Sequence, residues 1–153
     1  MKINIRPAII KDAYQIKNLI NGHAMKGKML PVSINQIFEH LRDFWVITDS
    51  NNKIIGCAAL RIIWKDFAEI RSLAFTSSKQ QKGWGGILVK TLIEEAKKIG
   101  IKKIFVLTYV PEFFEKFGFV RIEKTKLPHK IWMDCINCPK FPKCDEIPLL
   151  KII

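Results

Sequence analysis

Three glycines stand within four positions, at Gly83, Gly85 and Gly86, and an apolar run with helical periodicity follows them directly. The first amide groups of a helix have no partner inside the helix, and the helix dipole adds partial positive charge there. Because glycine has no Cβ atom, an anion can approach such a backbone closely. Gln80 and Lys82 can add side-chain donors. The pattern predicts a cradle for a diphosphate; the alternative is a loop whose glycines only permit a tight turn.

Two other phosphate-binding patterns fit this segment poorly. A Walker loop ends in Gly-Lys-Ser/Thr, whereas Ile87 and Leu88 follow Gly86 here. The dinucleotide-binding fingerprint G-x-G-x-x-G needs a third glycine where Leu88 stands, and it belongs to a first strand–helix unit rather than to a segment past mid-chain. A different phosphorylated cofactor is therefore expected.

Glu69 and Arg71 lie two residues apart in the β-rich segment "FAEIRSLAF", so their side chains share one face of a strand. A guanidinium group binds a carboxylate through two parallel hydrogen bonds. Arg71 can therefore bind an acidic substrate or pair with Glu69, and Glu69 can act as a base or serve only as that partner. Both alternatives stay open for each residue.

The C-terminal segment carries Cys135, Cys138 and Cys144, with His129 shortly before them. Thiolates and an imidazole can make a tetrahedral zinc site. The spacing lacks a second paired motif, so a disulfide and reduced thiols are alternatives to zinc. Cys57 lies in a hydrophobic segment and is expected to be a small core residue.

Hydrophobic periodicity and capping residues predict the helices that position these groups. Asp12 is the expected N-cap of a helix through about Asn21, and Ser33 with Gln36 forms a capping box for a second, short helix. A third, long helix is predicted from about Trp84 to Ile99, with Gly100 as its C-cap; its apolar stripe consists of Leu88, Leu92, Ala96 and Ile99. A fourth helix, "PEFFEKF", begins at Pro111 and ends at Gly118.

The predicted strands alternate with these helices and require a mixed sheet. They are "INIRPAI", the two arms of the hairpin "FWVITDSNNKIIGCAALRIIW", "FAEIRSLAF", "KKIFVLTYV", "FVRIEK" and a final strand around Ile131–Met133. A helix between two strands implies a parallel crossover, whereas hairpins imply antiparallel pairing. The expected fold class is α/β (α+β), with about six to seven strands flanked by about four helices.

The chain has 153 residues and carries 26 Lys and Arg against 14 Asp and Glu, a formal net charge of +12. The length fits one domain over residues 1–153, with the Cys- and Pro-rich tail at about 127–153 packed on it. A positive field attracts anions, but the lysines are scattered, which argues against nucleic acid as a partner. The apolar runs are too short to span a bilayer and the opening residues do not resemble a secretory segment, so a cytoplasmic protein without a membrane partner is expected.

Several of these segments resemble one enzyme superfamily. Gln80-x-x-Gly83-x-Gly85, placed between a strand and an amphipathic helix, resembles the acetyl-CoA pyrophosphate loop of the GNAT acetyltransferases. "PEFFEKFGF" is similar to the next signature of that superfamily, and the order of elements is similar over nearly the whole chain. "GKMLPVSINQIFEHLRDFWV", "AEIRSLAF", "LTYVPEFFEKFGF" and "LPHKIWMDCINCPKFPKCDE" resemble the short, single-domain N-acetylglutamate synthase-like group.

The resemblance implies a GNAT fold and transfer of the acetyl group of acetyl-CoA to the α-amino group of an amino acid, with L-glutamate and arginine biosynthesis as the leading interpretation. Glu69 would act as the base through a water molecule. The residues implied to hold the cofactor form two consecutive segments, Leu73, Ala74 and Phe75 at a strand end and Gln80, Gln81, Lys82, Gly83, Trp84, Gly85 and Gly86 at the loop and helix start.

One position departs from the superfamily pattern. Phe114 stands beside the cofactor where many GNAT enzymes carry the Tyr that protonates the departing thiolate, so Tyr109, a water molecule or unassisted departure has to replace it. Arg71 is the first choice for an acceptor carboxylate, and Lys28 and Arg61 are candidates for a second one. The remaining alternatives are another amine or a protein amino group as acceptor, a non-catalytic CoA-binding module, and assembly as a homodimer.

Overall fold

The structure is a computed structural model that describes residues 2–27, 29, 31–76, 83–127 and 146–153. The strands in these ranges are β1 (Asn4–Pro7), β2 (Phe44–Thr48), β3 (Ile54–Trp64), β4 (Phe67–Phe75), β5 (Lys103–Thr108), β6 (Val120–Arg121) and β7 (Ile147–Ile152). The α-helices are α1 (Ala13–Met25), α2 (Ile34–Glu39), α3 (Trp84–Ile99) and α4 (Pro111–Glu115).

The strands form one sheet in the order β1-β2-β3-β4-β5-β7-β6. Neighbouring strands are antiparallel except β4 and β5, which are parallel and are joined through α3. A parallel pair needs such a crossover because the chain has to return to the same end of the sheet. The predicted α/β class with a mixed sheet is therefore confirmed, as is the β2–β3 hairpin.

Helices cover both faces of the sheet. The long helix α3 packs on one face through the fully buried side chains of Leu88, Leu92 and Ala96, and α1 and α2 pack on the other face. The bounds predicted for α3 and its left-handed C-cap at Gly100 are confirmed, with φ of 96°. Ile99, predicted in the buried stripe, is instead 48% exposed. Because the chain reverses at Gly100, Ile101 rather than Ile99 packs into that end of the core.

The start of α1 differs from the prediction. The Asp12 carboxylate accepts hydrogen bonds from Arg6 at 2.7 and 3.0 Å and from the Ile9 amide at 2.8 Å, so it caps the preceding 3-10 turn (Ile10–Asp12) and not α1. Burial raises the pKa of Asp12, but these hydrogen bonds and the charge of Arg6 outweigh burial and leave the pKa below its ordinary value. The helix continues to Met25 rather than ending near Asn21. The capping box of Ser33 and Gln36 at α2 is confirmed.

The C-terminal strand β7 was not predicted. It lies between β5 and β6, pairing with β5 from Lys103 opposite Ile152 to Thr108 opposite Ile147. Pro148 and a lysine interrupt its apolar residues, so the segment lacks the period-two pattern of a half-buried strand. The predicted strand "FVRIEK" contributes only the two residues of β6. The strand predicted around Ile131–Met133 lies outside the described residues.

Candidate active site

The sheet opens between its two parallel strands. The β4–β5 ladder contains only three pairs, from Phe67 opposite Lys103 to Glu69 opposite Phe105. Beyond that point β4 and β5 no longer pair with each other, although β4 continues to Phe75 beside β3 and β5 continues to Thr108 beside β7. The edge of β4 that faces away from β3 therefore presents its last backbone groups to the opening, and an extended ligand can add itself to such an edge.

A β-bulge lies where β4 leaves its partner. Cys57 pairs with Ala74 and Ala59 pairs with Arg71, so the single residue between them on β3 faces two residues on β4. One of these two, Ser72, has φ of 58°, a left-handed conformation that costs energy for any residue except glycine. A bulge bends its strand and redirects the side chains that follow. Here it lies between the Glu69–Arg71 pair and the end of β4.

The predicted cofactor strand segment, Leu73 to Phe75, lies at this edge. Thr76 donates its amide to the Ile55 carbonyl, so alternation directs the amide and carbonyl of Phe75 away from β3. His23 Nε2 lies 2.7 Å from the Phe75 carbonyl oxygen. Since a carbonyl only accepts, Nε2 carries the proton and donates. The roles of Leu73, Ala74 and Phe75 in cofactor binding stay predictions.

His23 was missed in the sequence. The hydrophobic periodicity predicts a first helix that ends near Asn21, with His23 in the loop that follows. In the structure α1 extends to Met25, and His23 lies next to the end of β4. Asn21 on the same helix bonds both backbone groups of Val32, with the Val32 amide at 3.0 Å and the Val32 carbonyl at 3.2 Å. The last turns of α1 therefore hold both the end of β4 and the segment that leads to α2. A sequence-based prediction could have placed His23 near β4 only if it had extended α1 to Met25.

The glycines at the start of α3 have two different roles. Gly83 is the N-cap with φ of 77°, and a Cβ atom there would meet no neighbour within 4 Å among the described residues. A Cβ atom on Gly85 would lie 3.2 Å from the Phe113 ring, and one on Gly86 would lie 2.8 Å from the Phe117 ring. Gly83 thus permits the turn, whereas Gly85 and Gly86 permit close aromatic packing against α4.

The start of α3 has the features that a diphosphate requires. Within the part of the chain that the structure describes, no side chain caps the helix, because its N-cap is Gly83. The first amide groups of a helix have no partner inside the helix, so they are the groups that an anion at this end of α3 would bind. The indole of Trp84 is buried in the core. Gln80, Gln81 and Lys82 lie outside the described residues, so their contribution stays a prediction.

A small pocket lies beside the bulge, on the face of the sheet that α1 and α2 cover. Its volume is about 30 Å³, and the residues that line it are Val32, Gln36, Ile37, Phe44, Ala59, Arg61, Arg71 and Ser72. Arg71 Nη1 lies 3.5 Å from Glu69 Oε1, and only 8% of Glu69 is exposed. The ion pair that the spacing left as an alternative is therefore present. Such a volume holds about one or two water molecules.

Arg61 joins Arg71 in this pocket from the neighbouring strand. It pairs with Glu69 in the β3–β4 ladder, and its Nε lies 3.8 Å from Asp43 Oδ2. The structure thus brings Glu69, Arg71 and Arg61 together, as the sequence predicts for an acidic acceptor. Asp43, which follows α2 in the 3-10 turn Leu41–Asp43, was missed, because nothing in the sequence relates it to β3. Lys28 lies outside the described residues.

Two aromatic residues named in the sequence analysis follow β5 along the chain. Tyr109 comes directly after Thr108, the last residue of β5. Phe114 lies in α4 and is buried, with its ring packed edge-on against Phe113 and Phe119. The roles of Tyr109 as the acid and of Phe114 beside the cofactor stay predictions.

The residues named as possible metal ligands, Cys135, Cys138, Cys144 and His129, lie outside the described ranges, so the metal site stays a prediction. Among the residues that the structure does describe, no three His, Cys, Asp or Glu side chains cluster as a metal site would require. Cys57 is fully buried, as predicted, and burial raises the pKa of its thiol to about 12.

In the same described residues, no helix has the length and apolar character needed to cross a membrane.

Known proteins share this architecture. The model of the acetyltransferase (GNAT) family matches residues 12–119. An uncharacterized N-acetyltransferase of Chlorobaculum tepidum is 41% identical over 97% of this chain and 96% of that protein. An amino-acid acetyltransferase of Mycobacterium tuberculosis is 32% identical over 84% of this chain and 74% of that protein.

A solved structure extends the comparison to a complex with ligands. N-acetylglutamate synthase from Neisseria gonorrhoeae, complexed with coenzyme A and N-acetyl-glutamate, superposes with a TM-score of 0.89 at 27% identity. The match covers 99% of this chain and 35% of the synthase, so this chain corresponds to about a third of that protein. The resemblance that the sequence motifs carried is confirmed, and the chain belongs to the acetyltransferase (GNAT) family of acyltransferases.

Proposed function

We propose that the protein transfers the acetyl group of acetyl-CoA to the α-amino group of an amino acid, with L-glutamate as the leading acceptor. The observation that carries the proposal is the position of Arg71, which lies in a pocket next to the bulge that leads to the end of β4. A guanidinium group at this place can hold a carboxylate while the neighbouring amine faces the thioester. Relatives named amino-acid acetyltransferase support the class of acceptor.

In the proposed arrangement, cofactor and acceptor enter from two sides of the opening. The pantetheine arm pairs with the exposed edge of β4 at Leu73 to Phe75, and the diphosphate rests on the first amides of α3 and on the preceding loop. The acceptor binds through its carboxylate to Arg71 and separates Arg71 from Glu69. Binding the acceptor thus frees the carboxylate that is needed as a base.

The chemistry requires a neutral amine, because an α-amino group is mostly protonated at neutral pH. Glu69 takes the ammonium proton through a water molecule, and the amine then attacks the thioester carbonyl. The tetrahedral intermediate passes its second amine proton to solvent and collapses, so that the amide forms as the C–S bond breaks and the CoA thiolate leaves; solvent later returns a proton to the group that protonates this thiolate. Tyr109 is the proposed proton donor for that thiolate, because Phe114 carries no acidic hydrogen.

A screen of amino acids tests the proposal. Release of free thiol from acetyl-CoA is measured with each standard amino acid, and mass spectrometry identifies the acetylated product. We expect turnover with L-glutamate or a close relative, which would place the reaction in arginine biosynthesis if glutamate is the acceptor. In the same assay, Tyr109→Phe should lower kcat by about 100-fold with little change in either KM. Turnover with protein amino groups alone, or binding of CoA without any transfer, would contradict the proposed function.

A further inference from the structure

The acceptor pocket already contains one protein carboxylate for each of its arginines. Arg71 Nη1 lies 3.5 Å from Glu69 Oε1, and Arg61 Nε lies 3.8 Å from Asp43 Oδ2. The Asp43 side chain is 24% exposed, so water screens it only in part. Among the residues that the structure describes, each arginine of the pocket thus lies near one carboxylate.

Asp43 is held in a position where both arginines act on it. Its amide donates to the His40 carbonyl at 2.9 Å, and its Oδ2 lies 3.4 Å from His40 Nδ1. Burial raises the pKa of the Asp43 carboxyl, while the charges of His40, Arg61 and Arg71 oppose that rise. The geometry thus places the Asp43 carboxylate beside both His40 and the Arg61 guanidinium.

We propose that Asp43 is a specificity-determining residue, which occupies Arg61 as a built-in carboxylate and lowers the affinity for acceptors that carry a second carboxylate. The inference rests on the proposed function, in which Arg71 binds the α-carboxylate of an amino acid. An acceptor with an uncharged side chain leaves the Arg61–Asp43 pair intact. A dicarboxylate such as L-glutamate has to displace Asp43 from Arg61 and bring a like charge beside it.

L-glutamate and L-glutamine isolate this effect, because they have nearly the same shape and differ by one charge. Asp43→Asn makes the complementary change in the protein. The asparagine keeps the size of the side chain and an oxygen that can accept a hydrogen bond from His40, but it no longer neutralises Arg61. Any change that depends on the charge of Asp43 must therefore appear with glutamate and not with glutamine.

The test measures KM for both amino acids in the wild type, in Asp43→Asn and in Asp66→Asn. We expect Asp43→Asn to lower KM for L-glutamate about tenfold and to change KM for L-glutamine less than about twofold, since like charges brought together are costly. The matched control Asp66→Asn removes the same charge from the turn between β3 and β4 and should change neither KM. An equal change for both amino acids, or a higher KM for L-glutamate, would overturn the role of Asp43.

Binding of glutarate, a dicarboxylate that needs no acetyl transfer, separates this inference from the proposed function. Calorimetry with the CoA-saturated protein should show about tenfold tighter glutarate binding to Asp43→Asn than to the wild type. If no amino acid is acetylated, the proposed function fails, and tighter glutarate binding still supports the charge role of Asp43. Unchanged or undetectable glutarate binding by Asp43→Asn overturns that role, whichever amino acids are acetylated.

Discussion

The regions predicted to bind the cofactor and the acceptor are built by different means. The predicted cofactor region takes its groups from the end of β4 and the start of α3, which are consecutive elements of the chain. The predicted acceptor pocket instead collects side chains from β2, β3, β4, α2 and the segment before α2, which span residues 32–72. The first region is expected to act through backbone amides, and the second through the side chains of Arg61 and Arg71.

This difference decides what each region requires from the rest of the fold. A strand that runs directly into a helix N-terminus presents backbone groups whatever its side chains are, provided that no neighbouring strand pairs with them. The pocket contains the Arg71–Glu69 pair, which forms within β4, and the Arg61–Asp43 pair, which exists only after β3 has packed beside the turn that follows α2. Changes in the pocket should therefore alter acceptor kinetics alone, and changes at the start of α3 should alter packing or cofactor kinetics.

The largest effect is expected from Arg71→Ala. Loss of a charge-assisted, bidentate contact should raise KM for the amino-acid acceptor by about 100-fold, equivalent to about 2.7 kcal/mol, while KM for acetyl-CoA changes less than about threefold. Steady-state kinetics with each substrate varied in turn measures both values. Equal changes in the two KM values would show that Arg71 supports both regions and would remove the proposed division between them.

Two further variants sharpen this result. Arg71→Lys keeps the positive charge but loses the planar fork, so it should raise the acceptor KM by about tenfold. Arg121→Ala is the matched control, because Arg121 pairs with Glu112 and Glu115 at the surface near α4. Its kinetics should match those of the wild type. A thermal melt of each variant checks whether the loss of the Glu69 partner has destabilised the fold.

The second prediction concerns the ion pair that fixes the start of α1, the helix that carries Asn21 and His23 to the site. Asp12→Asn should lower the free energy of unfolding by about 2 kcal/mol at neutral pH, because it leaves the Arg6 charge without its carboxylate. The pKa of Asp12 is depressed in the folded protein. Its contribution is therefore fully present above its ordinary pKa of 3.8 and is lost as the pH falls through the lower, folded-state pKa.

Denaturant titrations between neutral pH and about pH 3 check this sign. The difference in unfolding free energy between the wild type and Asp12→Asn should shrink as the pH falls. A difference that stays constant with pH would mean that Asp12 acts through its hydrogen bond to the Ile9 amide and not through its charge.

The same contrast explains how much of the molecule could be predicted from the sequence. The bounds of α3, the capping box at Ser33 and the parallel crossover follow from local periodicity and capping chemistry, and they are confirmed. Asp12 stands at the predicted N-cap position of α1, but its carboxylate bonds Arg6 and the Ile9 amide, and a sequence does not distinguish a capping carboxylate from a salt-bridge partner. The contacts of His23 and Asp43 could not be predicted, because each joins elements that are distant along the chain.

The glycines at the start of α3 give the smallest and most diagnostic prediction. A Cβ atom on Gly86 would crowd the Phe117 ring, but alanine also favours the helix more than glycine does. Overpacking costs about 1–3 kcal/mol and the helix preference returns about 1 kcal/mol, so Gly86→Ala should destabilise the protein by about 1 kcal/mol. Thermal and denaturant unfolding measure this value.

The partner variant Phe117→Leu determines which role of Gly86 dominates. In that background the crowding is relieved, so Gly86→Ala should become neutral or stabilising, and the sign of its effect should reverse. If Gly86 instead serves mainly to let a diphosphate approach the backbone, Gly86→Ala should raise KM for acetyl-CoA in both backgrounds and leave stability unchanged. A reversed sign in stability with an unaltered KM would assign Gly86 to aromatic packing and leave Gly83 and its neighbouring amides as the cofactor cradle.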